Sequence, residues 1–172
     1  MTEKKNIVLV GFMGTGKSSV AKLLARWTGR TLVEMDDEIE KKEGMSINQI
    51  FSTKGENHFR RREREVVEEL SARRGLVVST GGGVVLNGDN IRDFKTGGIV
   101  VCLDASPETV YRRVKHESHR PLLQTPDPLA KIKELLAFRA PFYAKADAKV
   151  STDGKSVDQV AEEIAKIADE KA

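Results

Sequence analysis

The stretch Asn6-Ile7-Val8-Leu9-Val10-Gly11-Phe12-Met13-Gly14-Thr15-Gly16-Lys17-Ser18 holds a strand, a turn and the start of a helix, and this order dictates the fold. Asn6 to Val10 is an apolar run without polar alternation, the pattern of a strand covered on both faces. Gly11 ends it. From Lys17 the apolar positions Val20, Leu23, Leu24 and Trp27 recur at helical spacing and are expected on the inward face, with Gly29 at the C-terminal cap. Between strand and helix, Gly11 to Ser18 matches G-x-x-x-x-G-K-[ST], which at ordinary residue frequencies arises by accident about once in 150 chains of this length. A plain glycine turn would join the two elements as well, but it leaves Lys17 and Ser18 unexplained. A phosphate cradle explains both. Glycines let backbone N–H groups turn onto phosphate oxygens, and the helix start adds its positive dipole end. Lys17 then reaches the β and γ phosphates, and the Ser18 hydroxyl is placed for Mg²⁺. Gly14, Thr15, Gly16, Lys17, Ser18 and Ser19 are the candidate phosphate-binding residues, with ATP as co-substrate and Mg²⁺ as cofactor.

Working outward, Thr31 to Met35 reads as a second strand and Asp36 to Glu43 as a helix whose first turn is acidic. Ser46 caps a short helix. Gly55 to Arg74 is the longest helical segment, with Phe59, Val66 and Leu70 inward and Gly75 stopping it. Leu76 to Thr80 is a strand broken by Gly81-Gly82-Gly83. A polar helix around Asn87 to Lys95 follows, then the strand Ile99 to Leu103, and Ser106-Pro107-Glu108 opens another helix in N-cap, N1 order. The segment His116 to Pro128, with three prolines, is expected as a loop. Helices near Leu129 to Tyr143 and Ser156 to Lys171 flank a last strand around Lys149 to Ser151. Strands alternating with helices predict a three-layer α/β/α fold around a central parallel sheet of about five strands, with ligands beyond the carboxyl ends of the strands.

Composition narrows the partners. The chain has 172 residues, 29 Lys plus Arg against 26 Asp plus Glu, and a formal charge of +3. That length suits one soluble domain over residues 1–172, able to bury about 70% of its unfolded surface without a metal or disulfide staple. The single Cys102 lies within an apolar strand and is expected to be an inert core thiol. The longest apolar stretch, Ile7 to Val10 with Phe12 and Met13, is far short of the about 18 residues a membrane span needs. Lys4 and Lys5 precede it as in a signal peptide, but no small-residue cleavage site follows, so a cytoplasmic protein is expected. Charges of both signs are interspersed and aromatic residues are few, which favours small anions over nucleic acid.

A phosphate cradle does not define a reaction. Neither Asn-Lys-x-Asp nor Asp-x-x-Gly occurs, so a GTPase switch is excluded, and a large motor ATPase needs more chain. Small-molecule and nucleotide kinases remain.

Five further strings separate these: Glu34-Met35-Asp36, Phe59-Arg60-Arg61-Arg62-Glu63, Gly81-Gly82-Gly83, Arg120-Pro121-Leu122-Leu123 and Arg139-Ala140-Pro141. Taken in order, from the phosphate loop nearly to the C-terminus, the set resembles the shikimate kinases. The resemblance implies a P-loop kinase fold of the nucleoside monophosphate kinase type, and transfer of the ATP γ-phosphate to the 3-hydroxyl of shikimate, on the route to chorismate and the aromatic amino acids. It implies helices near 36–74 around the substrate and a lid loop near 116–128. Asp36, in the place of the family's substrate-binding acid, can accept hydrogen bonds from ring hydroxyls and orient or deprotonate the attacking one; helix N-capping is the lesser alternative and can coexist with that role. Arg60 and Arg139 resemble the pair that grips the substrate carboxylate, a planar anion matched to a guanidinium fork. Alone, Arg60 within Arg60-Arg61-Arg62 and Arg64 reads as a solvated basic face. Gly81, Gly82 and Gly83 resemble the substrate-facing triglycine, whose bare backbone admits close approach. Ser79 and Thr80 stand where a Walker-B acid is usual and can meet Mg²⁺ through water. Arg120 resembles the lid arginine that neutralises the transition state when the loop closes, so that catalysis falls to Lys17, Asp36 and Arg120. Arg113 resembles the residue packing on adenine, and Thr152-Asp153 marks the loop near the base.

The chain departs from the family at Glu34, where Asp is usual; Glu34 is expected to hold Mg²⁺ through a water. His58, His116 and His119 have no metal-ligand spacing and are expected at the surface. A monomer is expected. Two readings stand beside this one: another small-metabolite P-loop kinase of gluconate type, expected to lack the paired arginines, and a nucleotide-binding module without phosphotransfer.

Overall fold

The computed structural model describes residues 3–117 and 124–172. Among them five strands, β1 (Asn6–Gly11), β2 (Thr31–Glu34), β3 (Leu76–Ser79), β4 (Gly98–Asp104) and β5 (Ala148–Ser151), pair in parallel in the order β2-β3-β1-β4-β5. The helices are α1 (Lys17–Thr28), α2 (Met35–Glu43), α3 (Ile47–Lys54), α4 (Glu56–Ser71), α5 (Gly88–Gly97), α6 (Pro107–Val114), α7 (Pro128–Tyr143) and α8 (Val157–Glu170). This is the three-layer architecture the alternation predicts, and every predicted element is present. A 3₁₀ turn at Val84–Leu86, following the glycines, is an addition.

Two apolar layers hold the sheet. Val8 and Val10 pack with Val33, Val78 and Val100 against α2, α4 and α5. Ile7 and Leu9 point the other way, toward α1 and α8. Both faces of β1 are therefore sealed, which is why its sequence is continuously apolar, and each such side chain contributes about 1.5–3 kcal/mol on burial. A smaller cluster of Phe12, Val110, Val114 and Ile132 joins α6 and α7 to the end of β1. After β3 the chain crosses to the far side of β1, which makes the carboxyl end of β1 the switch point where a ligand crevice opens.

Helix starts follow their caps. Ser46 and Gln49 form a reciprocal capping box on α3, and Ser106 accepts from the Thr109 N–H ahead of Pro107 on α6. Three expectations need correction. Trp27 is 46% exposed, because the face of α1 against the sheet is centred on Ala21 and Leu24, roughly a quarter turn away. Small alanines there let the helix approach closely. The longest helix ends at Ser71 rather than Arg74, because buried Asn6 takes over the chain. Its Nδ2 donates to Arg73 O at 2.8 Å and its Oδ1 accepts from Leu76 N at 2.9 Å, turning the backbone into β3. Strand β2 stops at Glu34, and Met35, expected to close the strand, opens α2.

The expectation that all three histidines lie at the surface is also corrected in part. His116 is exposed, His119 lies outside the described residues, and His58 is half-buried with its Nε2 2.8 Å from Glu43 Oε1. Glu43 is a hub: Arg62 Nε also donates to Oε1, and Lys54 Nζ donates to Oε2 at 2.7 Å. It ties the end of α2 to α3 and α4. These three hydrogen bonds, Lys54 first, hold the Glu43 pKa down from 4.5 to about 2. Because the folded value lies below the unfolded one, the stabilisation is complete above about pH 4.5 and disappears as pH falls through 2. Glu43→Gln is expected to lower the thermal midpoint at pH 7, with the gap to wild type narrowing between pH 4.5 and 2. Parallel stability curves for the two proteins would remove this assignment.

Candidate active site

The phosphate loop sits at the carboxyl end of β1, and Gly16 takes φ +94° to start α1, a conformation closed to side chains. Thr15 is buried, with its hydroxyl donating to Phe12 O at 2.7 Å, so it braces the loop from within. Lys17 Nζ donates to Gly11 O at 2.6 Å and Phe12 O at 3.0 Å, folding its charge over the loop. Ser18 and Ser19 lie exposed on the first turn of α1.

Beside the loop, Ser18 Oγ donates to Glu34 Oε2 at 3.1 Å and lies 3.4 Å from Ser79 Oγ. Hydroxyl and carboxylate oxygens thus meet at the ends of three neighbouring elements. The Glu34 side chain is long enough to reach Ser18 from the end of β2. Thr80 is not in this group, because its hydroxyl is committed to Leu9 O at 2.8 Å. Among the described residues no cluster of three His, Cys, Asp or Glu could hold a metal, so protein ligation of a cation here depends on few side chains.

A second set converges on Gly81-Gly82-Gly83. A Cβ at Gly81 would stand 3.2 Å from Asp36 Oδ1 and 3.8 Å from Glu63 Oε2. One at Gly82 would meet Arg139 Nη1 at 3.4 Å, with Gly11 O and Met13 N at 3.7 Å. At Gly83 it would collide with Arg60 Nη2 at 2.5 Å. The triglycine is therefore the floor on which Asp36, Arg60 and Arg139 meet, one residue's width from the phosphate loop.

Each arginine is held from beneath. Arg60 Nη1 donates to Glu63 Oε1 at 2.9 Å, and its Cζ lies 5.2 Å from the Phe59 ring centroid. Arg139 is 9% exposed, its Cζ lies 5.5 Å from the centroid of Phe12, and its Nε has no hydrogen-bond partner among the described residues. Glu63 is 2% exposed; burial raises its pKa and Arg60 draws it back. Asp36 faces the open cleft, yet protein crowds it on the other sides. That desolvation raises its pKa; Lys17 opposes the rise and Glu40, Glu34 and Asp37 add to it.

Arg113 bridges the loop to the C-terminal region, donating from Nη1 to Gly14 O at 3.0 Å and to Thr152 Oγ1 at 3.2 Å. Asp153 accepts from the Ser106 N–H through Oδ1 at 3.2 Å and Oδ2 at 3.1 Å, so its carboxylate anchors the start of α6. Arg120 and residues 118–123 of the expected lid lie outside the described residues. Four contributors have no role assigned from sequence, although Phe59 and Glu63 stand in the string that carries Arg60. Glu63 and Tyr143 stand three and four residues after Arg60 and Arg139, a helical spacing that flags them; Phe59 adjoins Arg60; Phe12 carries no signal of its own.

A model of the family described as shikimate kinase matches residues 13–169. The shikimate kinase of Thermodesulfovibrio yellowstonii is 47% identical over 162 residues, covering 94% of each chain. That of Persephonella marina is 48% identical over 160 residues, 93% of this chain and 96% of the relative. The structure of shikimate kinase from Acinetobacter baumannii in complex with shikimate superposes with a TM-score of 0.91 at 38% identity, covering 98% of this chain and 94% of that one. Phosphate loop, acid, arginines and triglycine occur together in a chain matched almost end to end by such relatives, and the protein belongs to the shikimate kinase family.

Proposed function

We propose that this chain transfers the γ-phosphate of ATP to the 3-hydroxyl of shikimate, releasing ADP and shikimate 3-phosphate toward chorismate and the aromatic amino acids. One observation carries the reading: two arginines and an acid meet over a side-chain-free turn that touches the phosphate loop. Guanidinium forks at Arg60 and Arg139 match a planar carboxylate, and the unpartnered Nε of Arg139 leaves a buried donor for it. The paired arginines favour shikimate over a gluconate-type acceptor. Arg113, against Gly14 and Thr152, is assigned to the adenine end of ATP, and Asp153 to the scaffold beside it.

Asp36 accepts a hydrogen bond from the attacking hydroxyl and takes its proton as the new O–P bond forms and the bond to the ADP oxygen breaks. Its raised pKa makes it a better acceptor than an ordinary aspartate. Lys17 and the loop N–H groups hold the phosphates, so catalysis rests on positioning and charge neutralisation. The oxygens of Ser18, Glu34 and, through water, Ser79 fit a hard cation, and we assign Mg²⁺ to them. When bound, Mg²⁺ supplies positive charge to the phosphate oxygens. No helix among the described residues is long and apolar enough to cross a membrane. We place the protein in the cytoplasm as a monomer; its single cysteine, Cys102, is buried with its thiol pushed up to about 11, which leaves it inert toward an intermolecular disulfide. Surface cations are interlaced with acids, as Lys155 is with Glu163 at 2.8 Å, which suits small anions better than a polymer.

Asp36→Asn should cut kcat by a factor of about 10² or more while the Kd for ATP stays within about threefold. Because the folded pKa of Asp36 lies above the unfolded one, its ionised form costs stability once pH rises through that value. The same variant is therefore expected to match or exceed the wild-type thermal midpoint at pH 7, which separates lost chemistry from lost folding. Full activity in Asp36→Asn would remove it from the mechanism. Gly83→Ala places a methyl where Arg60 Nη2 stands and should raise the KM for shikimate about tenfold, equivalent to about 1.4 kcal/mol, without weakening ATP. An unchanged KM would detach Arg60 from the acceptor.

A further inference from the structure

We propose that the Tyr143 hydroxyl is a positioning group for the phosphoryl acceptor, setting the orientation of the triglycine turn and of Arg139 together. The proposal rests on the reading of Arg60, Arg139 and Gly81-Gly82-Gly83 as the acceptor's cradle.

Tyr143 is the last residue of α7 and stands one turn beyond Arg139, so the two side chains share a helix face. Its hydroxyl donates to Gly82 O at 2.8 Å and also meets the Arg139 side chain. The ring packs between two apolar clusters, one reaching β4 and α5 and the other Phe12 and Leu136. A phenol anchored on both sides cannot follow a moving turn, so the turn must conform to it. Burial pushes the Tyr143 pKa up to about 12, which keeps the hydroxyl a donor throughout the working range.

The turn needs such a tether. Three consecutive glycines have the widest backbone freedom available, and a free turn would sample many peptide orientations. The Gly82 carbonyl belongs to the same peptide unit as the Gly83 N–H, and the described backbone has no cis peptide. Across a planar trans peptide, pinning that carbonyl toward α7 aims the Gly83 N–H the opposite way. A Cβ built on Gly82 would also stand 3.4 Å from Arg139 Nη1 and 3.7 Å from both Gly11 O and Met13 N, so this glycine lies between the arginine and the loop. One hydroxyl thereby connects the carboxylate-binding arginine, the acceptor floor and, through Gly82, the phosphate loop. Among the described residues the Tyr143 hydroxyl makes no hydrogen bond to the phosphate loop itself, so its loss should fall on the acceptor and spare ATP.

Tyr143→Phe keeps the ring and removes only the hydroxyl. Steady-state kinetics are expected to show a KM for shikimate raised about three- to tenfold, the effect of one lost net hydrogen bond, with kcat and the KM for ATP within about twofold and a thermal midpoint close to wild type. A purely structural role would instead lower the midpoint and shift both KM values together, and that result overturns the proposal, as does an unchanged KM for shikimate. Arg139→Lys is measured in parallel. A raised KM there with no change in Tyr143→Phe rejects the tyrosine's role alone. No effect in Arg139→Lys rejects the cradle, and the proposal with it.

Discussion

Everything in this site depends on how closely backbone can approach charged side chains at Gly81-Gly82-Gly83. Asp36, Arg60 and Arg139 come from α2, α4 and α7; a Cβ on the turn they surround would displace Arg60, crowd Asp36 and fill the space up to Arg139. Removing side chains from three successive residues lets Asp36, Arg60, Arg139 and the phosphate loop share one crevice. The conformational entropy of the glycines is the cost. It is offset by anchoring the turn on buried neighbours: Val84 and Val85 lie in the core immediately after it, and the Gly82 carbonyl is held from α7.

Concentrating cations for two anions raises a second difficulty, because like charges repel when no anion lies between them. The protein answers with local counter-groups. Lys17 rests on two loop carbonyls, Arg60 on Glu63, and Arg139 on the face of Phe12. Glu63 carries most of the strain, being an almost fully buried acid that is tolerable only while paired. Phe12 belongs to the phosphate loop, so the support for Arg139 is part of that loop. The two half-sites are therefore built on one another. Farther out, Glu43 gathers Lys54, His58 and Arg62, and this locks α2, α3 and α4 into the frame that presents Asp36 and Arg60.

Much of this was legible in order along the chain. Local chemistry announced the β1 strand, the phosphate loop, the Ser46 and Ser106 caps and the glycine break after β3, because each depends on residues within about one turn of each other. The errors arose where distant residues intervened. Asn6 ends α4 by claiming a carbonyl that local helical preference would have kept within the helix. The sheet chose Ala21 and Leu24 over Trp27, since close approach rewards small residues. His58 looked like a surface residue because Glu43, its partner, is fifteen positions away and on another helix.

By itself the sequence determined a parallel α/β fold, a phosphate loop and, through ordered motifs, the family to which the chain belongs. Spacing along a strand or helix suffices for such features. Tertiary structure alone decided that Glu34 reaches Ser18, and that Phe12, Glu63 and Tyr143 stand as supports. Charged side chains acquire a role only from what is desolvated beside them, and those neighbours come together only when the sheet brings the carboxyl ends of its strands to one edge.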